Sequence, residues 1–141
     1  RMKESGNVLL TGAEKTELGI LVFDVTTAPS GFVAENADVV AKFLAVTADA
    51  NAAWNASQPE FMANMIAQDA GMSVEDAKGS MSTFVFPDID TQLSKSWLSG
   101  NAQTFMKGVA DVFVNAGSID SAKDSYVDNV NTGPLAAAKG M

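Results

Sequence analysis

Apolar residues recur at helical spacing along much of this chain of 141 residues. The longest such pattern starts after Asn36, a residue type that often begins helices. Its apolar face comprises Val40, Phe43, Leu44, Thr47, Ala50 and Trp54. The spacing predicts an amphipathic helix of about five turns that buries one face. A chain with such faces has to fold by covering them.

Capping signals predict further helices. Residues 57–60 (SQPE) form a capping box with proline in the first turn, and the helix that follows ends at Gly71. Ser73 repeats the cap for a third helix, and either Asp88 or Asp90 caps a fourth. Two more are predicted, one from Asn101 to Gly117 and one from Ser118 to Val130.

Three segments are instead typical of short strands. Residues 19–28 (GILVFDVTTA) are apolar and β-branched on both alternating faces, residues 8–10 (VLL) are a short apolar run, and residues 83–86 (TFVF) are a brief extended piece. Two or three short strands do not make a stable sheet by themselves. We therefore expect another segment or another chain to supply further strands. The sequence thus predicts a helix-dominated α/β fragment with about six helices and two or three short strands.

Composition excludes several classes of function. Nine basic and seventeen acidic residues give a net charge of −8 with no basic cluster, which argues against nucleic acid or anionic lipid as a partner. The chain has no His and no Cys, so the usual hydrolase schemes and zinc sites lose their residues. Phosphate-binding motifs are missing as well. We therefore expect no enzyme activity, no cofactor and no metal.

Asp24 is the one chemically unusual residue of the predicted strands. A carboxylate within a buried strand must be paired, hydrogen-bonded or placed at a cleft to offset its desolvation. The residues alone favour a structural ion pair over a ligand contact. The aromatic residues lie in apolar patterns that are typical of packing, among them Trp54, Trp97, Phe84 and Phe86.

Several segments together resemble the C-terminal half of taurine-type substrate-binding proteins of ABC importers. They are residues 6–12 (GNVLLTG), Phe23-Asp24-Val25, and residues 31–43 (GFVAENADVVAKF). Later segments add to the likeness: Phe86-Pro87, Trp97-Leu98, Ala110-Asp111-Val112-Phe113 and Gly117-Ser118-Ile119-Asp120. The likeness extends from about residue 6 to residue 130, and no single motif is diagnostic by itself.

This resemblance implies a two-lobed periplasmic binding protein fold of type II. Residues 1–16 would end the second lobe and its crossover, residues 17–134 would form the C-terminal half of the first lobe, and residues 135–141 would be a tail. The chain opens at Arg1 without an initiator Met, and we expect that upstream sequence supplies the rest. Asp24 falls on the family's cleft aspartate, which would pair with the ammonium group of taurine.

The function implied is capture of taurine or a related sulfonate in the periplasm and delivery to the membrane permease of the importer. Another amine-bearing sulfonate or a small zwitterion is an open alternative, because Thr26 and Thr27 stand where relatives commonly carry larger or more apolar residues. From the residues alone, an all-helical domain that binds protein partners also stays open. For the fragment by itself we expect a dimer or strand exchange between copies.

Overall fold

The computed structural model describes residues 5–18, 20, 22–56 and 59–141. These residues form eight α-helices and one 3-10 turn, Val127–Asn129. The helices are α1 Gly12–Glu17, α2 Ser30–Glu35, α3 Ala37–Asn55, α4 Pro59–Ala70, α5 Val74–Met81, α6 Ile89–Leu93, α7 Asn101–Asn115 and α8 Gly133–Ala138.

The predicted α/β fold is wrong for the part of the chain that is described, since it contains no strand. Of the predicted strand at residues 19–28, residues 19 and 21 lie outside the described residues, and the others form neither helix nor strand. Residues 8–10 and 83–86 also form no strand. An apolar, β-branched run becomes a strand only when a neighbour accepts its backbone hydrogen bonds, and no other described segment pairs with these three in that way.

The predicted long helix is confirmed as α3, which spans 19 residues. The cap assigned to Asn36 is not, because its side chain makes no capping hydrogen bond to α3. Its Nδ2 instead donates to the carbonyl oxygen of Phe32 at 3.0 Å. Asn36 therefore closes α2 and separates it from α3. The short helix α2 was not predicted from the sequence.

Two predicted caps are present with their expected geometry. Ser73 Oγ accepts a hydrogen bond from the backbone N–H of Asp76 at 3.0 Å and begins α5. Of the two predicted alternatives, Asp88 and Asp90, the cap is Asp88. Its Oδ1 accepts from the backbone N–H of Thr91 at 2.7 Å. Residues 57 and 58 of the predicted capping box before α4 lie outside the described residues.

Glycines close α4 and α7 as the sequence predicts. Gly71 and Gly117 adopt φ angles of 65° and 69°, in the left-handed region that favours glycine. The next residue of each bonds back to the helix, Met72 to the carbonyl of Ala67 and Ser118 to that of Phe113. Both helices therefore make the longer hydrogen bond of the Schellman motif, and Gly117 adds the shorter one by donating to the carbonyl of Val114.

The helix predicted from Ser118 to Val130 is absent, and only the 3-10 turn forms in that range. A serine side chain competes there for a local backbone group, since Ser125 Oγ accepts from the N–H of Val127 at 3.3 Å. The last helix is α8, which begins with proline near its N-terminus and was not predicted. Leu135 thus lies within a packed helix, while the predicted domain boundaries stay predictions.

Helix packing is centred on α3, which packs along α8 and contacts α2 and α4. Helix α4 packs on α5, and α6 packs on α8. The buried apolar residues of the described chain are almost all small: Ala41, Ala63, Ala67, Ala77, Ala102, Ala110, Leu135 and Ala138. Small side chains let helices approach closely, but each buries little apolar surface.

The molecule exposes far more surface than a compact chain of its mass. Its accessible surface is 10436 Å², which exceeds the value of about 6,900 Å² expected for a compact monomer by roughly 3,500 Å². Large apolar side chains on α3, α4 and α7 contribute to this surface. Within the described residues, no helix has both the length and the apolar character needed to cross a bilayer.

Replacement of Leu135 by alanine should lower the free energy of unfolding by about 2–5 kcal/mol, because a buried leucine is lost and a cavity is left. Leu135 is 6 % exposed, whereas Leu9 is 95 % exposed. Urea unfolding of Leu135→Ala and the matched control Leu9→Ala checks this expectation. Equal stability losses in the two variants would contradict the packing of α8.

Replacement of Ser73 by alanine should cost about 1 kcal/mol, because the N-terminal N–H of α5 loses its acceptor. Ser80 lies in the same helix with an exposed side chain, so Ser80→Ala is the matched control. Urea unfolding should show a loss for the first variant and almost none for the second. A loss of similar size at Ser80 would show that the cap is not the cause.

Candidate functional site

Asp24, the predicted ligand-binding residue, lies on the surface in the segment between α1 and α2. Its carboxylate makes no ion pair or hydrogen bond with any described residue, so the structural ion pair considered from the sequence is not formed there. Residues 22–28 likewise have no backbone hydrogen bond to other described residues. The carboxylate is therefore accessible to a ligand from solvent.

The neighbouring residue, Phe23, attaches this segment to the rest of the molecule. Its ring centroid lies 6.1 Å from that of Trp97, with the planes at 88°, and 5.7 Å from that of Phe105. Edge-on aromatic pairs at these distances are favourable beyond the area that they bury. The packing of Phe23 therefore holds the backbone next to Asp24 in place.

A second feature is a cleft between the C-terminal half of α3 and the segment that leads into α6. Its volume is about 520 Å³, and it is widely open to solvent. Asn55 Nδ2 donates to the carbonyl oxygen of Phe86 at 2.8 Å across one side of it, and Trp54 packs edge-on against the Phe86 ring at 6.5 Å. The lining residues are Ala48, Asp49, Asn51, Ala52, Asn55, Ala56, Phe86, Pro87, Asp88 and Ile89.

The polar groups of this cleft are carboxylates and amides, which suit a small polar or cationic ligand better than an anion. Asp88 is already engaged as the cap of α6. Hydrogen bonds from the backbone N–H and then the side chain of Thr91 lower the pKa of Asp88 from its ordinary value. Among the described residues, no group of Asp and Glu side chains is arranged to hold a metal ion.

The sequence predicts a role for Asp24 and gives no indication of the cleft. Its walls come from residues about thirty positions apart, joined by the Asn55 to Phe86 hydrogen bond. No local motif indicates such a pair. Trp54, Phe86, Trp97 and Phe84 were expected to serve packing, and each lies in an aromatic contact.

Asp24 and the cleft share no residue, and the aromatic groups beside them are distinct. Phe23 packs with Trp97 and Phe105, whereas Phe86 packs with Trp54 and Phe84. Two separate candidate sites therefore lie on the described surface.

Comparison with known proteins identifies no family for this chain. No family model, no curated protein and no solved structure matches the chain.

Replacement of Asp88 by asparagine should reduce the loss of stability that occurs as the pH is lowered. A carboxylate with a lowered pKa in the folded state contributes stability above its unfolded pKa, near 3.8, and loses it as the pH falls through the folded value. Asparagine keeps the capping oxygen but does not titrate. Urea unfolding of both proteins from neutral pH to below pH 3.8 should show similar stability at neutral pH and a shallower acid decline for the variant. Parallel profiles would contradict the role of Asp88.

Proposed function

We propose that this chain is part of the solute-binding component of an ABC importer, which captures taurine or a related sulfonate in the periplasm. The observation that carries the proposal is the family-like sequence around Asp24, namely residues 6–12, Phe23-Asp24-Val25 and residues 31–43. In that family an aspartate in this motif faces the ligand. The proposal gives Asp24 the same role.

The environment of Asp24 supports a binding role. Its carboxylate is exposed and has no partner among the described residues, so no internal ion pair must be broken before a ligand binds. A carboxylate and an ammonium group form a charge-assisted hydrogen bond, which is about twice as strong as a neutral one. The aromatic packing of Phe23 limits the movement of the chain beside it.

The unburied surface also supports the proposal. A core of alanines and an excess of roughly 3,500 Å² of surface are expected when further polypeptide is needed to cover the helices. The sulfonate requires N–H donors or helix N-termini, which such polypeptide would supply. Delivery of the solute requires docking to the permease of the importer.

Taurine should raise the melting temperature of the protein, because a ligand that binds only the folded state stabilises it. The gain is about 2.7 kcal/mol when taurine is present at about 100 times its Kd. Asp24→Asn should weaken taurine binding by about tenfold or more, as expected for the loss of a hydrogen bond to a charged group. Thermal unfolding and calorimetric titration measure the two effects.

Two controls separate the role of Asp24 from a general effect of charge. Asp124 is also exposed and has no ion pair with a described residue, so Asp124→Asn should bind taurine like the wild type. Ethanesulfonate, which has no amine, should bind wild type and Asp24→Asn equally. If neither taurine nor any other sulfonate shifts the melting temperature, the proposal fails.

A second candidate function is an all-helical domain that binds protein partners. It is favoured by the absence of strands in the described residues and by exposed apolar positions one helical turn apart on α3, namely Val39, Phe43 and Val46. Cooperative unfolding of the chain without further polypeptide would favour this alternative, because the first proposal requires such polypeptide to cover the helices.

A further inference from the structure

We propose that an aromatic socket at the start of α7 positions Asp24 for its ligand, although the socket lies far from Asp24 in the sequence. The socket consists of Trp97 and Phe105, which receive the ring of Phe23 at centroid distances of 6.1 and 5.7 Å. Phe23, Trp97 and Phe105 are positioning residues, which act on the solute through the carboxylate. This role rests on the proposed function, since the solute is the one proposed to bind Asp24.

The segment of residues 22–28 is attached to the described part of the molecule at Phe23. Phe23 is half-buried, whereas each of the other residues from 22 to 28 is exposed. None of them forms a backbone hydrogen bond with another described residue, and Asp24 forms no ion pair there. Among the described residues, the ring of Phe23 is therefore what fixes the position of this segment.

The socket is rigid because the turn before α7 is bonded to the first turn of that helix. The backbone N–H of Ala102, which is buried, donates to the carbonyl oxygen of Trp97 at 2.9 Å. Gln103 Nε2 donates to the carbonyl oxygen of Leu98 at 2.6 Å. Trp97 and Phe105 therefore move together with α7, and a ring that lies between them is held where α7 holds it.

Gly100 makes this tight turn possible. A Cβ atom at that position would lie 2.6 Å from the carbonyl oxygen of Lys95, which is closer than such contacts occur. The same carbonyl oxygen accepts from the N–H of Asn101 at 2.9 Å, at the first residue of α7. The turn thus packs on itself without room for a side chain, which favours a single arrangement of Trp97 against α7.

The short distance between neighbouring residues explains how a half-buried ring acts on an exposed carboxylate. Consecutive Cα atoms are about 3.8 Å apart, so a displacement of Phe23 also displaces Asp24. Binding groups have to be held to within about 0.5 Å of their productive position. Loss of the ring contact therefore lowers the affinity for a ligand that pairs with the Asp24 carboxylate. A ligand that makes no such pair is unaffected.

A spin label at position 24 tests the positioning without any solute. The chain has no Cys, so Asp24→Cys provides a single attachment site. The nitroxide should be partly immobilised when Phe23 is present. Phe23→Leu should shorten its rotational correlation time, whereas Phe23→Tyr keeps the ring and should leave it unchanged. Phe84→Leu is the matched control, because the Phe84 ring packs 6.2 Å from that of Phe86 and not in the socket.

Calorimetric titration tests the consequence for binding. Phe23→Leu should raise the Kd for taurine by about threefold or more, since an aromatic pair of this geometry is favourable beyond the area that it buries. The Kd for ethanesulfonate, which has no amine, should stay the same. In the Asp24→Asn background, Phe23→Leu should raise the Kd for taurine no further, because the ring acts through the carboxylate. A general loss of folded protein would affect both ligands and both backgrounds equally.

The two experiments separate this proposal from the function on which it rests. If the wild type does not bind taurine while Phe23→Leu frees the label, the proposed function fails and the positioning of residue 24 by the socket stands. Equal label mobility with and without the ring, or an equal change in Phe84→Leu, overturns the positioning whatever taurine does. Equal taurine binding by the wild type and Phe23→Leu overturns it as well.

Discussion

The close packing of α8 along α3 is the contact on which the rest of this structure depends. It brings the end of the chain against its longest helix and buries Ala41, Leu135 and Ala138. Helix α6 then packs on α8, with an ion pair between Lys139 and Asp90 at 2.5 Å. That ion pair is exposed and contributes little by itself, so the alanine contacts and the one leucine carry most of this arrangement.

The helices that can be predicted from the sequence are those with local signals. Helix α3 follows from its apolar periodicity, and α4, α5 and α7 each combine such periodicity with a capping residue or a terminal glycine, which act within a few residues of the backbone groups that they satisfy. The six-residue helices α2 and α8 were missed because their signals are not local, and α1 was missed although Thr11 and Glu14 form a capping box at its start. A helix of that length is marginal by itself and forms through tertiary contacts, which no short window of sequence encodes.

The predicted strands are absent because a strand requires a pairing partner from elsewhere in the chain. The composition of residues 22–28 is suited to a buried strand, but backbone pairing needs a second strand, and the described chain offers none. The two candidate sites differ in the same way, since one has a local signal in the sequence and the other does not. Asp24 stands out in the sequence because a carboxylate interrupts an apolar run, whereas the cleft beside Phe86 depends on a hydrogen bond to Asn55 that only the folded chain reveals.

The alanine core also governs how the protein responds to temperature. The heat capacity change of unfolding grows with the apolar surface that becomes newly hydrated, and here much of that surface is hydrated already in the folded chain. Stability of the single chain therefore varies with temperature along a broad, shallow curve. Any association that covers the helices would sharpen that curve and raise its maximum.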